Sequence, residues 1–132
     1  HHPSAITATL EGYRAFYPGR RIILDFMSHT YSRTEALFSR FVDSFNAADV
    51  VLLHKIYASA RERAGTVDGR DLFEAVSRRR GNVYYFDEIL DALPYCRSIL
   101  RNGDVFITMG AGDNWKLGKA LAEDLKIGEA ER

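Results

Sequence analysis

The chain lacks several features that would place it in a specialised class of protein. Its 132 residues include one cysteine, Cys96, which excludes an internal disulfide framework and fits a reducing compartment. No apolar run approaches the roughly 18 residues of a membrane-spanning helix, and no signal-peptide pattern opens the chain. The 18 basic and 18 acidic side chains cancel, and neither half is strongly basic, so charge does not favour nucleic-acid binding. With 46 % apolar and 27 % charged residues, the composition is typical of a globular protein, and the length fits one domain.

Segments with helical and strand periodicity alternate along the chain. Apolar residues at helical spacing and helix-start residues predict helices over 4–17, from the capping-box pattern at 32–35 to Phe45, from Asp68 to about Val76, from Pro94 to Leu100, and from Asp113 through Leu117, Leu121 and Leu125. Short apolar runs predict strands over 21–27, 50–54, 83–86 and 104–109, and the residues after Lys126 are predicted to fray. This alternation predicts an α/β fold with a mostly parallel sheet and helices on both faces.

In such a sheet, ligands bind beyond the carboxyl ends of the strands. The loop that follows the first predicted strand is the richest in polar side chains. Arg33 lies at a predicted helix start, where free backbone N–H groups already favour an anion, and a guanidinium there could clamp a carboxylate or phosphate. His29, Tyr31 and Thr34 add donors. The alternative is that Ser32 simply caps the helix and Arg33 is solvated.

The loop after the fourth predicted strand is rich in glycine. Gly110-Ala111-Gly112 has the form of an anion-cradling turn, although a tight strand-to-helix turn explains it equally well. It is not a dinucleotide fingerprint, because Trp115 stands where the third glycine is needed. No P-loop pattern occurs in the chain. The residues alone therefore predict an α/β domain with an anion-binding edge.

The remaining candidates are weaker. The four histidines show no zinc-type spacing, so no metal site is expected, and His54 at a strand end is interpreted as structural. Arg78-Arg79-Arg80 is interpreted as a solvated face at a helix end. No nucleophile-elbow pattern supports a hydrolase triad.

Four motifs in order carry a further signal. They are His1-His2-Pro3-Ser4, Ser28-His29-Thr30-Tyr31-Ser32-Arg33-Thr34, Ile56-Tyr57-Ala58-Ser59-Ala60-Arg61-Glu62 and Met109-Gly110-Ala111-Gly112-Asp113-Asn114. Together they make essentially the whole chain resemble the C-terminal domain of the Mur ligases of peptidoglycan synthesis. Within that family they are most similar to the members that attach L-alanine to UDP-N-acetylmuramate. The first motif resembles the end of the family's D-D-Y-x-H-H-P pattern, which suggests a chain that begins inside that motif.

The resemblance implies that residues 1–132 form a Rossmann-like three-layer domain, which positions the amino acid in a three-domain, bacterial, cytoplasmic ligase. The implied reaction is ATP-dependent, ADP-forming amide synthesis through an acyl phosphate. ATP and Mg²⁺ would be bound mainly by a central domain outside this chain, on which this domain and the N-terminal domain pack. UDP-N-acetylmuramate and L-alanine would be the other substrates, no nucleic acid or membrane span is implied, and the isolated domain is expected to be inactive.

The resemblance also assigns roles to individual residues. Arg33 and His1 would bind oxyanions of the amino acid or of the reacting phosphate, and His2 would cap the first helix. The other implied substrate-binding residues are His29, Tyr31, Thr34, Gly110, Ala111, Gly112 and Asp113. The sequence departs from the family at Met27-Ser28, where Gln-Pro is frequent, and at Thr30, where Arg is frequent, so one cation of the pocket is missing or supplied elsewhere.

Two alternatives stay open. One is the sister ligase that attaches a recycled tripeptide to UDP-N-acetylmuramate. The other is a non-catalytic α/β ligand-binding module, such as a receiver. A receiver needs an acidic cluster at the strand ends, whereas Asp25 lies inside its predicted strand.

Overall fold

A computed structural model describes residues 2–28, 34, 36–56, 68–110 and 112–130. In chain order the elements are helix α1 (Pro3–Phe16), strand β1 (Ile22–Met27), helix α2 (Phe38–Val42), strand β2 (Val50–Leu53), helix α3 (Gly69–Ser77), strand β3 (Val83–Tyr85), a 3-10 helix (Ile89–Ala92), helix α4 (Leu93–Ile99), strand β4 (Val105–Gly110) and helix α5 (Trp115–Ala130). The four predicted strands are confirmed to within two residues at each end. None of these helices is both long and apolar enough to cross a lipid bilayer.

The described strands form one parallel sheet in the order β3-β2-β1-β4. In its register Asp25 of β1 lies beside Leu52 of β2 on one side and Thr108 of β4 on the other. The strand order runs one way from β1 to β3 and then reverses to β4. The carboxyl ends of β1 and β4 therefore flank the point where α/β sheets of this kind open a ligand-binding crevice.

Two apolar cores, one on each side of the sheet, confirm the three-layer α/β architecture. The first core is built on α1, α2 and α3, and its fully buried members include Ile6, Leu10, Phe41, Phe45, Leu72 and Val76. The second is built on the 3-10 helix, α4 and α5, and includes Ala92, Cys96, Leu117 and Leu121. Strands β1 and β2 are buried on both faces, which explains why their sequences read as continuous apolar runs.

Local chemistry sets several of the helix boundaries. Asp68 accepts a hydrogen bond from Asp71 N, and the carboxylate of Asp71 accepts one from Asp68 N, so a capping box starts α3. The ring nitrogen Nδ1 of His2 accepts a hydrogen bond from Ser4 N at the start of α1, which confirms the expected cap. Gly103 adopts a φ of +90° in the turn that precedes β4.

Leu125 lies on α5 as predicted, where it is 69 % exposed and lines an open groove beside β4. Two helix ends of the sequence prediction are wrong. Helix α5 continues to Ala130 and does not end after Lys126. The helix predicted to reach Phe45 ends at Val42, although Phe45 is still buried against Phe26; residues 32, 33 and 35 of its predicted start lie outside the described residues.

Arg80 is a third correction, since it is not part of a solvated face. Its guanidinium donates to the carbonyl oxygens of Phe45 (2.6 Å) and Asp49 (3.0 Å), and burial lowers the pKa of Arg80. The side chain thereby joins the end of α3 to the segment that leads into β2.

Candidate functional site

The glycine loop after β4 lies directly on the end of β1. Gly110 has a φ of +109°, and a Cβ at that position would lie 1.9 Å from the carbonyl oxygen of Met27. A Cβ at Gly112 would lie 2.5 Å from the Met27 sulfur atom. Both distances are far shorter than van der Waals contact, so a side chain at position 110 would displace backbone and one at position 112 would displace the Met27 side chain. The structure thus places backbone, without side chains, at the crevice between β1 and β4.

Asn114, the residue before α5, fastens this loop to the sheet. Its side chain is buried, and Nδ2 lies 2.8 Å from the carbonyl oxygen of Met109. The same nitrogen lies 3.2 Å from the carbonyl oxygen of Asp25 and 3.1 Å from the carboxylate oxygen Oδ1 of that residue. The start of α5 and the end of β4 are therefore both held against β1.

Asp25 is paired in turn with a buried histidine. Nε2 of His54 lies 2.6 Å from Oδ2 of Asp25, and neither side chain has any exposed surface. Nδ1 of His54 lies 2.7 Å from the carbonyl oxygen of Phe86. Because a carbonyl can only accept, Nδ1 carries a hydrogen, and the second hydrogen bond needs one more proton between the imidazole and the carboxylate. The structure agrees with the interpretation of His54 as structural.

The one cysteine packs on the same side of the sheet as this pair. Burial raises the pKa of the Cys96 thiol to about 12, and the negative charge of Asp25 acts in the same direction. The thiol is therefore protonated at neutral pH and is not a nucleophile. Cys96 and His54 are both buried, so neither side chain is exposed at the surface of the crevice.

The loop after β1 is joined at both ends by a buried contact. The hydroxyl groups of Ser28 and Thr34 are hydrogen-bonded to each other, and both residues are buried. This bond links the end of β1 to the residue just after the segment 29–33. Thr34, which was predicted to shape the pocket, thus has its hydroxyl in the interior.

Several of the predicted site residues lie outside the described residues: His1, His29, Tyr31, Arg33 and Ala111. Thr34, Gly110, Gly112 and Asp113 are described, and the two glycines meet at the crevice. Asp113 is exposed and its carboxylate lies 3.4 Å from Nζ of Lys116. The roles predicted for these residues remain predictions.

The carboxyl end of β2 is equally crowded. A Cβ at Gly69 would lie 2.0 Å from the carbonyl oxygen of His54, so the start of α3 packs directly on the strand end. Beside it, Nζ of Lys55 and Oε1 of Glu88 form an exposed ion pair at 2.5 Å.

Across the described parts of the chain, no group of three or more His, Cys, Asp or Glu side chains is placed to hold a metal ion.

Sequence analysis did not find the Asp25–His54–Asn114 network. A signal was present, because Asp25 interrupts an otherwise apolar strand and His54 closes the neighbouring apolar run. Buried strands seldom carry such groups unless they are paired. The spacing of these residues along the chain does not show which polar group pairs with which.

The known proteins that are similar to this chain point to one family. The family described as "Mur ligase, glutamate ligase domain" matches residues 1–112. A UDP-N-acetylmuramate--L-alanine ligase from Treponema pallidum is 55 % identical over 122 residues, which cover 92 % of this chain and 25 % of that protein. A protein of the same name from Borrelia garinii is 46 % identical over 118 residues, which cover 89 % of this chain and 25 % of that protein. The chain thus spans about a quarter of the length of these relatives.

A solved structure shares the fold. It is a domain assigned to a UDP-N-acetylmuramate:L-alanyl-gamma-D-glutamyl-medo-diaminopimelate ligase from Haemophilus ducreyi, and it superposes with a TM-score of 0.66. The match covers 95 % of this chain and 85 % of that one, at 20 % sequence identity. At this identity the likeness supports the α/β architecture and nothing about the substrate.

Proposed function

The chain belongs to the Mur ligase family, and we propose that it is the C-terminal, amino-acid-positioning domain of a three-domain ligase that joins L-alanine to UDP-N-acetylmuramate. The relatives that carry this activity in their names support the proposal, since two of them are 55 % and 46 % identical over about nine-tenths of this chain. Residues 1–132 would then be one domain of a longer cytoplasmic enzyme and would pack on its N-terminal and central domains.

The proposed reaction has two steps. A muramate carboxylate oxygen attacks the γ-phosphorus of ATP, which forms an acyl phosphate and releases ADP. The amine of L-alanine then attacks the acyl carbon, an amide bond forms, and phosphate leaves. Negative charge develops on oxygen in both steps, so hydrogen-bond donors and cations are what this domain has to contribute.

The observation that carries the proposal is the seating of Gly110 and Gly112 on Met27 at the crevice beside β1. It brings bare backbone to the place where an α/β sheet receives an anionic ligand. Arg33 and His1 would add positive charge for the oxyanions of the amino acid or phosphate. Asp113 and the side chains of the 28–34 loop would shape the remainder of the pocket.

ATP and Mg²⁺ are assigned mainly to the central domain of the longer protein. When bound, Mg²⁺ would neutralise the phosphate charge. This chain's own task would be to bind and orient the amino acid and to close over the acyl phosphate.

The test uses the full-length protein from which the chain comes. ADP release is followed with ATP, UDP-N-acetylmuramate and either L-alanine or the recycled tripeptide, in the wild type, in Arg33→Ala and in Arg78→Ala. Arg78 is the matched control, because it is an exposed arginine at the opposite end of α3 from the crevice. The 132-residue chain by itself is expected to give no turnover and no tight ATP binding in a calorimetric titration.

We expect turnover with L-alanine, a loss of at least about a hundredfold in kcat/KM in Arg33→Ala, and no change in Arg78→Ala. Turnover with the tripeptide alone would move the protein to the sister ligase. Absence of turnover with either acceptor would replace the ligase assignment with a non-catalytic ligand-binding module. Equal activity of the two arginine variants would contradict the role given to Arg33.

A further inference from the structure

We propose that Asp25, His54 and Asn114 act together as a positioning network, which fixes the β4–α5 loop over the end of β1 and so sets the shape of the anion-binding edge. All three residues are buried. The inference deepens the proposed function and rests on it for the kinetic part of the test, whereas the structural part stands without it.

The network crosses the sheet in the spatial order of the strands. It begins at the carbonyl oxygen of Phe86, just after β3, which lies 2.7 Å from Nδ1 of His54, just after β2. It continues from Nε2 of His54 to Oδ2 of Asp25 in β1, at 2.6 Å. It ends at Asn114, just after β4, whose Nδ2 lies 3.1 Å from Oδ1 of Asp25. One chain of hydrogen bonds therefore links the carboxyl ends of all four described strands.

Asp25 and His54 have their side-chain polar atoms committed in a single arrangement. Both ring nitrogens of His54 and both carboxylate oxygens of Asp25 are engaged. In a buried setting an unmet hydrogen bond is costly, so the groups have little freedom to rearrange. A change at His54 is consequently passed on to the carboxylate that orients Asn114.

Asn114 is the link from the network to the loop. Its Nδ2 also lies 2.8 Å from the carbonyl oxygen of Met109, so Met109 and Asn114 close the glycine loop from both ends. The contacts of Gly110 and Gly112 with Met27 leave the loop no tolerance on its other side. The position of the loop backbone thus depends on the amide of Asn114 and on the carboxylate that holds it.

The geometry requires hydrogen bonds and not a charge at position 25. In Asp25→Asn, the new amide nitrogen can donate to Nε2 of a neutral His54, while Nδ1 of that histidine still donates to Phe86. The remaining oxygen at position 25 can still accept from Asn114. Asp25→Asn is therefore the conservative variant that should keep the loop in place.

The experiment compares four variants of the full-length protein with the wild type. They are Asn114→Ala, which removes the link; the double variant Asp25→Val/His54→Leu, which removes the carboxylate acceptor of Asn114 without leaving a charge unpaired; Asp25→Asn; and the control Asn46→Ala, an exposed asparagine ahead of β2. Hydrogen–deuterium exchange is measured on peptides that cover residues 105–117 and, for comparison, β1 and β2. The kcat and the KM for UDP-N-acetylmuramate are measured on the same samples.

We expect exchange in 105–117 to become at least about tenfold faster in Asn114→Ala, because the loop loses the hydrogen bonds from Asn114 to Asp25 and Met109. The increase should be smaller in the double variant, in which Asn114 keeps its backbone acceptors on Asp25 and Met109. In both variants, exchange in β1 and β2 should change less than exchange in the loop. The kcat should fall about tenfold while the KM for UDP-N-acetylmuramate stays within about twofold. Asp25→Asn and Asn46→Ala should match the wild type in both measurements.

Wild-type exchange in the loop of Asn114→Ala would overturn the proposal, whatever the activity. So would an Asp25→Asn variant as impaired as the double variant, since charge and not hydrogen bonding would then be responsible. If the double variant exchanges fast throughout because it fails to fold, Asn114→Ala decides. A wild-type enzyme without ligase activity would count against the proposed function alone, because the exchange data still report on the network.

Discussion

Removal of one partner from the buried Asp25–His54 pair should cost far more stability than removal of both. In His54→Leu the carboxylate oxygen Oδ2 and the Phe86 carbonyl each lose their hydrogen bond inside the core. In Asp25→Val the imidazole loses its partner and Asn114 loses one acceptor. A buried group left unpaired costs about 1–3 kcal/mol, and more if it is charged, so each single variant should lose about 4 kcal/mol.

The double variant Asp25→Val/His54→Leu removes both charged groups together. It leaves the Phe86 carbonyl without its partner, and Asn114 keeps two backbone acceptors, on Asp25 and Met109, because backbone atoms are unchanged by the substitution. Valine suits a buried strand, and leucine is close to histidine in size. The double variant should therefore lose only about 1–2 kcal/mol, several kcal/mol less than the two single losses added together.

Urea unfolding of the 132-residue chain, followed by circular dichroism, measures this cycle. Because the free energy of unfolding of a domain of this size is about 5–15 kcal/mol, the single variants should remain folded but unfold at markedly lower urea concentrations than the wild type. Additive losses in the double variant would refute the reasoning, since they would mean that the two side chains stabilise the fold independently. A single variant with wild-type stability would contradict it as well.

Three further predictions follow from other parts of the molecule. Gly110→Ala should destabilise the chain by about 3 kcal/mol or more, because the φ of Gly110 is +109° and the new methyl group would meet backbone. Gly12→Ala, in open space within α1, should instead stabilise the chain by about 0.5–1 kcal/mol, and thermal unfolding of both variants checks this. Burial raises the pKa of Asp104, but the hydrogen bonds from the Arg21 side chain and the Arg101 backbone N–H, together with the charges of both arginines, outweigh it, and the pKa is lowered overall. The stability that Asp104 provides is therefore present above its ordinary pKa of about 3.9 and is lost as the pH falls through its lower folded pKa. The wild type should be more stable than Asp104→Asn by about 2 kcal/mol at neutral pH, and unfolding curves measured in acid should show that this difference disappears. Cys96, buried and with its pKa raised to about 12, should react with a thiol reagent at pH 7 only at the rate at which the native chain opens, and a fast reaction without denaturant would contradict its placement in the core.

Much of the fold could be predicted from the sequence because the signals are local. The four strands are short apolar runs bounded by turns, and the alternation with helical segments leaves few topologies other than a parallel three-layer sheet. The start of α3 at Asp68 was also predictable, because the residues that cap it lie three positions apart in the chain.

The candidate site was only partly predictable for the same reason. The glycine loop and the 28–34 loop were identified from strand ends, but the requirement for glycine at position 110 comes from Met27, which lies far away in the chain. Arg80 looked like a surface residue, because nothing in a run of three arginines distinguishes the one whose guanidinium reaches two buried carbonyls.

By itself the sequence determined the alternation of elements, the edge of the sheet where a ligand is predicted to bind, and the motifs that identify the family. The tertiary structure alone decided which polar groups meet there. Asp25 and His54 are 29 positions apart, and Asn114 is 89 positions from Asp25. Their contact depends on the register of β1 against β2 and on the reversal of strand order that brings β4 beside β1. Local spacing carries no information about either, because both are fixed only when the whole sheet buries its two apolar faces.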